Sequence, residues 1–282
     1  MSGMMLMGCG PGNGAAGAPF VGDLDTLVAQ GATLNRVYSQ RRLLASYTGA
    51  ADILRGNGTG SPEATINYLA NGDYDLTAAA AAAAAGGGTQ AFRKTWYDQT
   101  GNGDATQGTA ANQPPFTTSV RAKGAIGGIA STDCYLPFTG SISQPFFIYA
   151  IVTVGTLATN RYIVGGTSAG ATYFRSGSSF TLTALYGASL SQVTGSLGAN
   201  SLALRGNGGS SELYNNGVSI LTGNIGTNAI PSSSRIGSGG STASSWFTDA
   251  SNTISELIIF GGDPTGLAGW SAFETAARAY YA

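Results

Sequence analysis

Histidine is absent from this 282-residue chain, and Asp, Glu, Lys and Arg together make up only 10% of it. The first absence removes the residue on which zinc sites and His-activated nucleophiles depend. The second, against about 25% in ordinary soluble proteins, leaves solubility to Ser, Thr, Asn and backbone amides. Cys9 and Cys134 are too far apart for a metal-ligand spacing and too few for a disulfide framework, so stability must come from a core. The 13 basic residues are dispersed and the net charge is -1, which leaves no electrostatic footprint for nucleic acid. No segment has the apolar length of a membrane span. Leu6-Met7-Gly8-Cys9 imitates the end of a lipoprotein signal, but no basic residue precedes it and its apolar run is shorter than the roughly 7–15 residues such a signal needs.

What is present argues for β structure. The 44 glycines are scattered without a Gly-X-Y period, which excludes collagen and favours turns, while aromatic residues at 10% supply core anchors. Residues 1–20 hold all four methionines and no charge. So Gly-rich a segment has little local preference, and it is read as an attachment arm ordered by a partner, with Met4, Met5, Leu6 and Met7 as its apolar contacts. No long linker divides residues 21–282, which are read as a single domain.

Leu34, Val37, Tyr38, Leu43 and Leu44 recur near helical spacing. They predict a helix over 33–47, ended by Gly49, with Arg36 and Arg41 on its outer face. A second short helix is predicted over 78–85, capped by Asp75 and stopped by Gly86-Gly87-Gly88. From Thr89 the pattern turns to short β-like runs at 92–97, 146–154, 162–165, 171–175, 180–186, 201–205, 211–214 and 254–260. Asn215-Asn216-Gly217 marks a hairpin, because Asn and Gly tolerate positive φ. Asp263-Pro264 is read as the start of a C-terminal helix with Leu267, Trp270, Phe273, Ala277 and Tyr280 on one face.

The stretch Trp96-Tyr97-Asp98-Gln99-Thr100-Gly101-Asn102-Gly103-Asp104-Ala105-Thr106-Gln107 follows an earlier one, Arg41-Arg42-Leu43-Leu44-Ala45-Ser46-Tyr47-Thr48-Gly49. Together they resemble the two signature segments of the α-L-arabinofuranosidase B catalytic-domain family, in the form found in tailed-phage virion proteins. The resemblance implies a mainly β fold, a concanavalin/laminin-G-like jelly-roll β-sandwich with a few short helices, one of them C-terminal, and an extended N-terminal arm. It also implies where catalytic carboxylates would stand. The family's nucleophilic Glu falls on Thr183, and its acid/base Asp, which follows a Gly-Gly pair, falls on Ser241 after Gly239-Gly240.

A retaining glycosidase needs two carboxylates, and a hydroxyl performs neither role. The resemblance therefore implies a non-enzymatic structural or accessory virion protein of a tailed bacteriophage: a capsid decoration, fibre or tail component. Its lectin-like sandwich would be anchored through the arm to other virion proteins, as a homo-oligomer or symmetric array. The alternatives are a carbohydrate-binding module for a host surface glycan and an active arabinofuranosidase-type glycosidase.

Among individual residues, Tyr173, Tyr186, Tyr214 and Trp246 are candidates for stacking on a sugar, weighed against burial in the core. Asp98, Asn102 and Asp104 sit in a turn where Asp side chains bond backbone amides. Their spacing imitates a calcium loop but lacks the Glu at position twelve, so calcium is a weak candidate and no other cofactor or metal is expected. Glu256, in an otherwise apolar strand, requires either a buried partner or a solvent-facing position.

Overall fold

A computed structural model of the chain describes residues 20–117, 123–127, 134–155, 161–166, 173–176, 181–193, 198–238 and 251–282. In the first half run α1 (Asp25–Ala29), β1 (Leu34–Ser39), β2 (Asp52–Gly56), β3 (Glu63–Ile66), α2 (Leu76–Ala84), β4 (Ala91–Trp96), β5 (Ala105–Thr106), β6 (Pro115–Thr117), β7 (Ala125–Gly127) and β8 (Leu136–Pro137). They are followed by β9 (Phe146–Val154), β10 (Arg161–Gly165), β11 (Tyr173–Ser176), β12 (Thr181–Leu185) and β13 (Ser189–Val193). The last third adds β14 (Gly198–Gly206), β15 (Ser211–Asn215), β16 (Val218–Gly223), β17 (Arg235–Ile236), β18 (Thr253–Phe260) and α3 (Trp270–Tyr280).

The strands form two antiparallel sheets. One runs β16-β15-β14-β9-β18-β7-β6-β4-β2-β3, with β1 added on β18 and β5 on β4; the other runs β13-β12-β11-β10-β17-β8. The first is buried on both faces at its centre, which is why β9 (Phe-Phe-Ile-Tyr-Ala-Ile-Val-Thr-Val) lacks the alternation of a half-exposed strand. Ile148, Ala150 and Val152 face Ile163, Leu182, Ala184 and Ile236 of the second sheet. Phe147, Tyr149 and Ile151 face the other way, onto Leu24 and Leu27 of the α1 region and Trp270 and Phe273 of α3. The Trp270 ring meets Phe147 and Tyr149 edge-on at 5.2 and 5.6 Å between centroids, an arrangement that aromatic quadrupoles favour.

Local signals account for several elements. Asp75 accepts a hydrogen bond from Ala78 N and opens α2, whose run of alanines packs on Leu54, Ile66 and Phe116, and Gly86 takes positive φ at its end. Asn216 and Gly217, at φ 51° and 78°, form the two-residue turn between β15 and β16. The C-terminal helix begins at Trp270 rather than Asp263, because the Asp263 carboxylate accepts from Thr265 N at 2.9 Å and makes a separate turn. The arm, residues 1–19 with Met4, Met5, Leu6 and Met7, lies outside the described residues.

The predicted helix over 33–47 is corrected. Its first part is β1, with Val37 opposite Ile258 and Tyr38 opposite Leu257, and an irregular stretch with one bridge at Arg41 follows. The apolar spacing imitated a helix because β1 is covered on both faces: Val37 packs toward α1 and α3, Tyr38 into the space between the sheets. Arg36 and Arg41 consequently do not lie on an outer face, each being 6% exposed. Arg36 Nη2 donates to Thr139 O at 2.6 Å, and Arg41 Nε donates to Glu256 Oε2 at 3.0 Å.

A further ion pair crosses from β4 to β2. Arg93 Nη2 meets Asp52 Oδ2 at 2.5 Å, both side chains are fully buried, and the Tyr74 hydroxyl donates to the same oxygen. Arg93 Nε and Nη1 have no hydrogen-bond acceptor. The guanidinium carbon lies 4.4 Å from the Trp96 ring centroid and 5.5 Å from that of Phe116, so π faces take the place of oxygen on that side. Burial raises the Asp52 carboxyl above its ordinary value, and Arg93 and the Tyr74 hydroxyl partly offset that rise. Asp52→Asn should strand a buried cation and lower unfolding free energy by about 3–5 kcal/mol in a denaturant titration. Glu63→Gln, which breaks the solvent-accessible pair that Lys94 of β4 makes across β2 with β3, should change it by less than about 1 kcal/mol.

Candidate functional site

Directly opposed residues of an antiparallel ladder point to the same face of the sheet. Leu182, Ala184 and Leu190 belong to the core between the sheets, so Thr183 and its partner Ser191 belong to the outer face of the six-stranded sheet, with Arg175 in register beside Thr183. Thr183 Oγ1 and Ser191 Oγ lie 2.9 Å apart, Thr183 buried and Ser191 exposed. Two positions along, Leu185, Tyr173, Gly165 and Arg235 stand in one register row. Gly165 places no side chain between its neighbours, and the Arg235 guanidinium lies 4.0 Å from the centroid of the Tyr135 ring. This face offers hydroxyls and a guanidinium suited to the hydroxyl groups of a sugar. Its strands β8, β10, β11, β12, β13 and β17 carry no Asp or Glu.

The other expected sugar contacts are dispersed. Ser241 and Trp246 lie outside the described residues, and Tyr173 is placed only by its register. Tyr186 is corrected as a stacking platform: it is fully buried, its ring 5.0 Å from that of Phe146, and burial pushes its phenol well above its ordinary value. Tyr214 is half-buried against Phe147, and its hydroxyl donates to Glu212 Oε2 at 2.7 Å. Sequence reasoning left Tyr186 open between a sugar contact and the core because the strand pattern alone does not say which face of this segment meets the first sheet.

The turn at Asp98 is built around one carboxylate. Asp98 accepts from the backbone N–H groups of Val37, Thr100, Asn102 and Gly103 at 2.8, 3.0, 3.1 and 3.1 Å, and from the Thr100 hydroxyl at 2.7 Å. Asp104 Oδ1 accepts from Asp98 N at 3.0 Å, and Asn102 Nδ2 donates to Asn35 O at 3.1 Å. N–H and O–H donors thus surround Asp98, whereas a calcium ion requires convergent oxygens. Burial raises the Asp98 carboxyl, against the bonds from Thr100 and Val37 and the charge of Arg36. Among the described residues, no group of three or more Asp, Glu, Cys or His side chains is placed to hold a metal.

Sequence reasoning missed the buried arginines Arg36, Arg41 and Arg93. The available signal for one of them was Glu256, whose position in an apolar strand required either a cation or solvent; the structure supplies Arg41.

No protein-family model matches the sequence, and no curated protein matches it. Solved structures do. An arabinofuranosidase complexed with arabinofuranosyl-α-1,2-xylobiose gives a TM-score of 0.62 at 17% identity, over 93% of this chain and 65% of that one. A Gln-for-Glu mutant of a GH54 α-L-arabinofuranosidase soaked with 4-nitrophenyl α-L-arabinofuranoside gives 0.64 at 18%, over 93% and 66%. A GH54 α-L-arabinofuranosidase soaked with a cyclic sulfate inhibitor gives 0.62 at 18%, over the same shares. At these identities the likeness is one of fold, and this chain spans 65–66% of the length of those it matches.

The expectation that the chain is not an enzyme is thereby corrected. Its fold is shared with arabinofuranosidases solved with an arabinofuranosyl oligosaccharide, an aryl arabinofuranoside and an inhibitor. Hydroxyls at positions assigned by resemblance do not by themselves exclude catalysis, since a fold shared at 17–18% identity does not hold catalytic residues to the same positions.

Asp98→Ala should leave four backbone N–H groups without their acceptor and lower stability by about 3 kcal/mol or more, at roughly 1–3 kcal/mol per buried group, read from thermal or urea unfolding. Chelating calcium should leave the melting temperature of the parent protein unchanged, because a ligand stabilises only a state that binds it.

Proposed function

We propose that this chain is a carbohydrate-active sandwich of arabinofuranosidase type. It takes an α-L-arabinofuranosyl group on the outer face of the six-stranded sheet and hydrolyses its glycosidic bond. The observation that carries this reading is the fold, matched over 93% of the chain at TM-scores of 0.62–0.64 to enzymes holding an arabinofuranosyl oligosaccharide and an aryl arabinofuranoside. The face around Thr183 and Ser191 supports it, because neutral hydroxyl groups and Arg235 can exchange hydrogen bonds with a furanose ring.

Hydrolysis with retention requires a carboxylate nucleophile and a carboxylic acid, their groups about 5–5.5 Å apart. Thr183 supplies neither. Its role is positional: it holds Ser191, whose exposed hydroxyl bonds the sugar. The acid and nucleophile belong to the fourteen Asp and Glu residues of the chain, which are few enough to replace one at a time.

The pure protein should release 4-nitrophenol from 4-nitrophenyl α-L-arabinofuranoside. In a set of single Asp→Asn and Glu→Gln variants that remain folded, two should lose about 10²–10⁴-fold in rate. Ser191→Ala should raise KM about fivefold, the equivalent of one hydrogen bond of about 1 kcal/mol, with kcat little changed. Absence of turnover on this and other aryl glycosides would overturn the reading.

A further inference from the structure

On the far side of the first sheet, away from the proposed glycoside face, the turn entering α2 and the last residue of α3 border an open cavity of about 260 Å³. Leu69, Asp73, Asp75, Thr77, Lys123 and Tyr280 line it. We propose that this cavity is a second carbohydrate site, which binds one neutral monosaccharide unit.

The lining combines three kinds of group that a sugar uses together. Asp73 and Asp75 accept hydrogen bonds from hydroxyls, Lys123 and Thr77 donate them, and the Tyr280 phenol oxygen, its proton held by Asp73, accepts one. Leu69, 45% exposed, offers an apolar patch to C–H groups. The set is pre-arranged: Tyr280 OH donates to Asp73 Oδ1 at 2.8 Å and Asn71 Nδ2 donates to Asp73 Oδ2 at 2.9 Å. Asp75 is held by its cap on Ala78 N at 2.9 Å. Burial and the Asp73 carboxylate keep the Tyr280 phenol above its ordinary value, so it keeps the proton that it gives to Asp73.

Lys123 is the adjustable member. Its ammonium lies 3.8 Å from Asp73 Oδ1 and 4.6 Å from the Tyr280 ring centroid, and its side chain is 42% exposed. It can turn toward a ligand hydroxyl without losing a buried bond.

Charge and size together select the ligand class. Two carboxylates disfavour an anion, and Lys123, 3.8 Å from Asp73 Oδ1, already fills the cation's place beside them, so the favoured occupant is an uncharged polyol. At about 260 Å³ the cavity lies below the roughly 300–1,000 Å³ of sites for drug-sized ligands, which suits a single sugar unit rather than an oligosaccharide. This site does not depend on the proposed activity, because it shares no residue with the face around Thr183.

The test is an NMR titration of the full chain with methyl α-L-arabinofuranoside, methyl β-D-xylopyranoside, methyl α-D-glucopyranoside and methyl β-D-galactopyranoside, following Tyr280 and Lys123 resonances. At least one glycoside should give saturable shifts there with a Kd of about 1 mM or tighter. Lys123→Met and Tyr280→Phe should each weaken that Kd about fivefold or more, leave aryl arabinofuranoside turnover unchanged and lower the melting temperature by no more than about 4 °C. No saturable shift at these residues with any of the four, or shifts that persist unaltered in both variants, would overturn the proposal. Loss of turnover in the parent protein with the shifts intact would sink the glycosidase reading and leave this one standing.

Discussion

Glu256 and Arg41 meet where neither charge could be left alone. Glu256 lies on β18 with no exposure and Arg41 just beyond β1, and two bonds join them, at 3.0 and 3.3 Å. Ser39 Oγ at 2.8 Å and Tyr281 OH at 3.2 Å satisfy the carboxylate further, and Asp23 takes the free side of the guanidinium. An ion in a low-dielectric interior is tolerable only when its partners are all present. The α1 region, β1, β18 and the C-terminal residues must therefore come together as a set, across a separation of up to 242 positions. Closure of the first sheet and docking of α3 become one event.

The same logic recurs in a chain whose charged residues are scarce. Arg93 is paired with Asp52 between β4 and β2, and Arg36 approaches Asp98 to 3.9 Å and bonds the backbone at Thr139. Each buried cation joins segments that the apolar core alone would leave free to shift in register. The first sheet thus becomes a fixed slab, covered by the second sheet on one side and by the helices on the other. The outer face around Thr183 is carried by that slab, and a site that must hold a sugar in one orientation needs such a support.

The two candidate carbohydrate surfaces are chemically unlike. The face of the second sheet presents hydroxyls and a guanidinium and bears no carboxylate on its strands. The cavity at Asp73 and Tyr280 presents carboxylates, an ammonium and a phenol at the junction of a turn and a helix end. The first sheet separates them, so a ligand on one side touches none of the groups on the other.

Elements determined by short-range chemistry were legible in the amino-acid order. The cap at Asp75, the Asn216-Gly217 turn, the apolar run of β9 and the turn in which Asp98 collects the amides of Thr100, Asn102 and Gly103 each follow from residues within a few positions of one another. The family resemblance likewise anticipated a sandwich, and the structure is one. What only the tertiary structure decided is the environment of each side chain. Whether 33–47 is helix or strand, whether Arg36 and Arg41 face water or carboxylate, and whether Tyr186 meets a sugar or Phe146 all depend on the partner strand or layer. Such partners lie tens to hundreds of positions away, and a strand covered on both faces loses the alternation that would have disclosed its period.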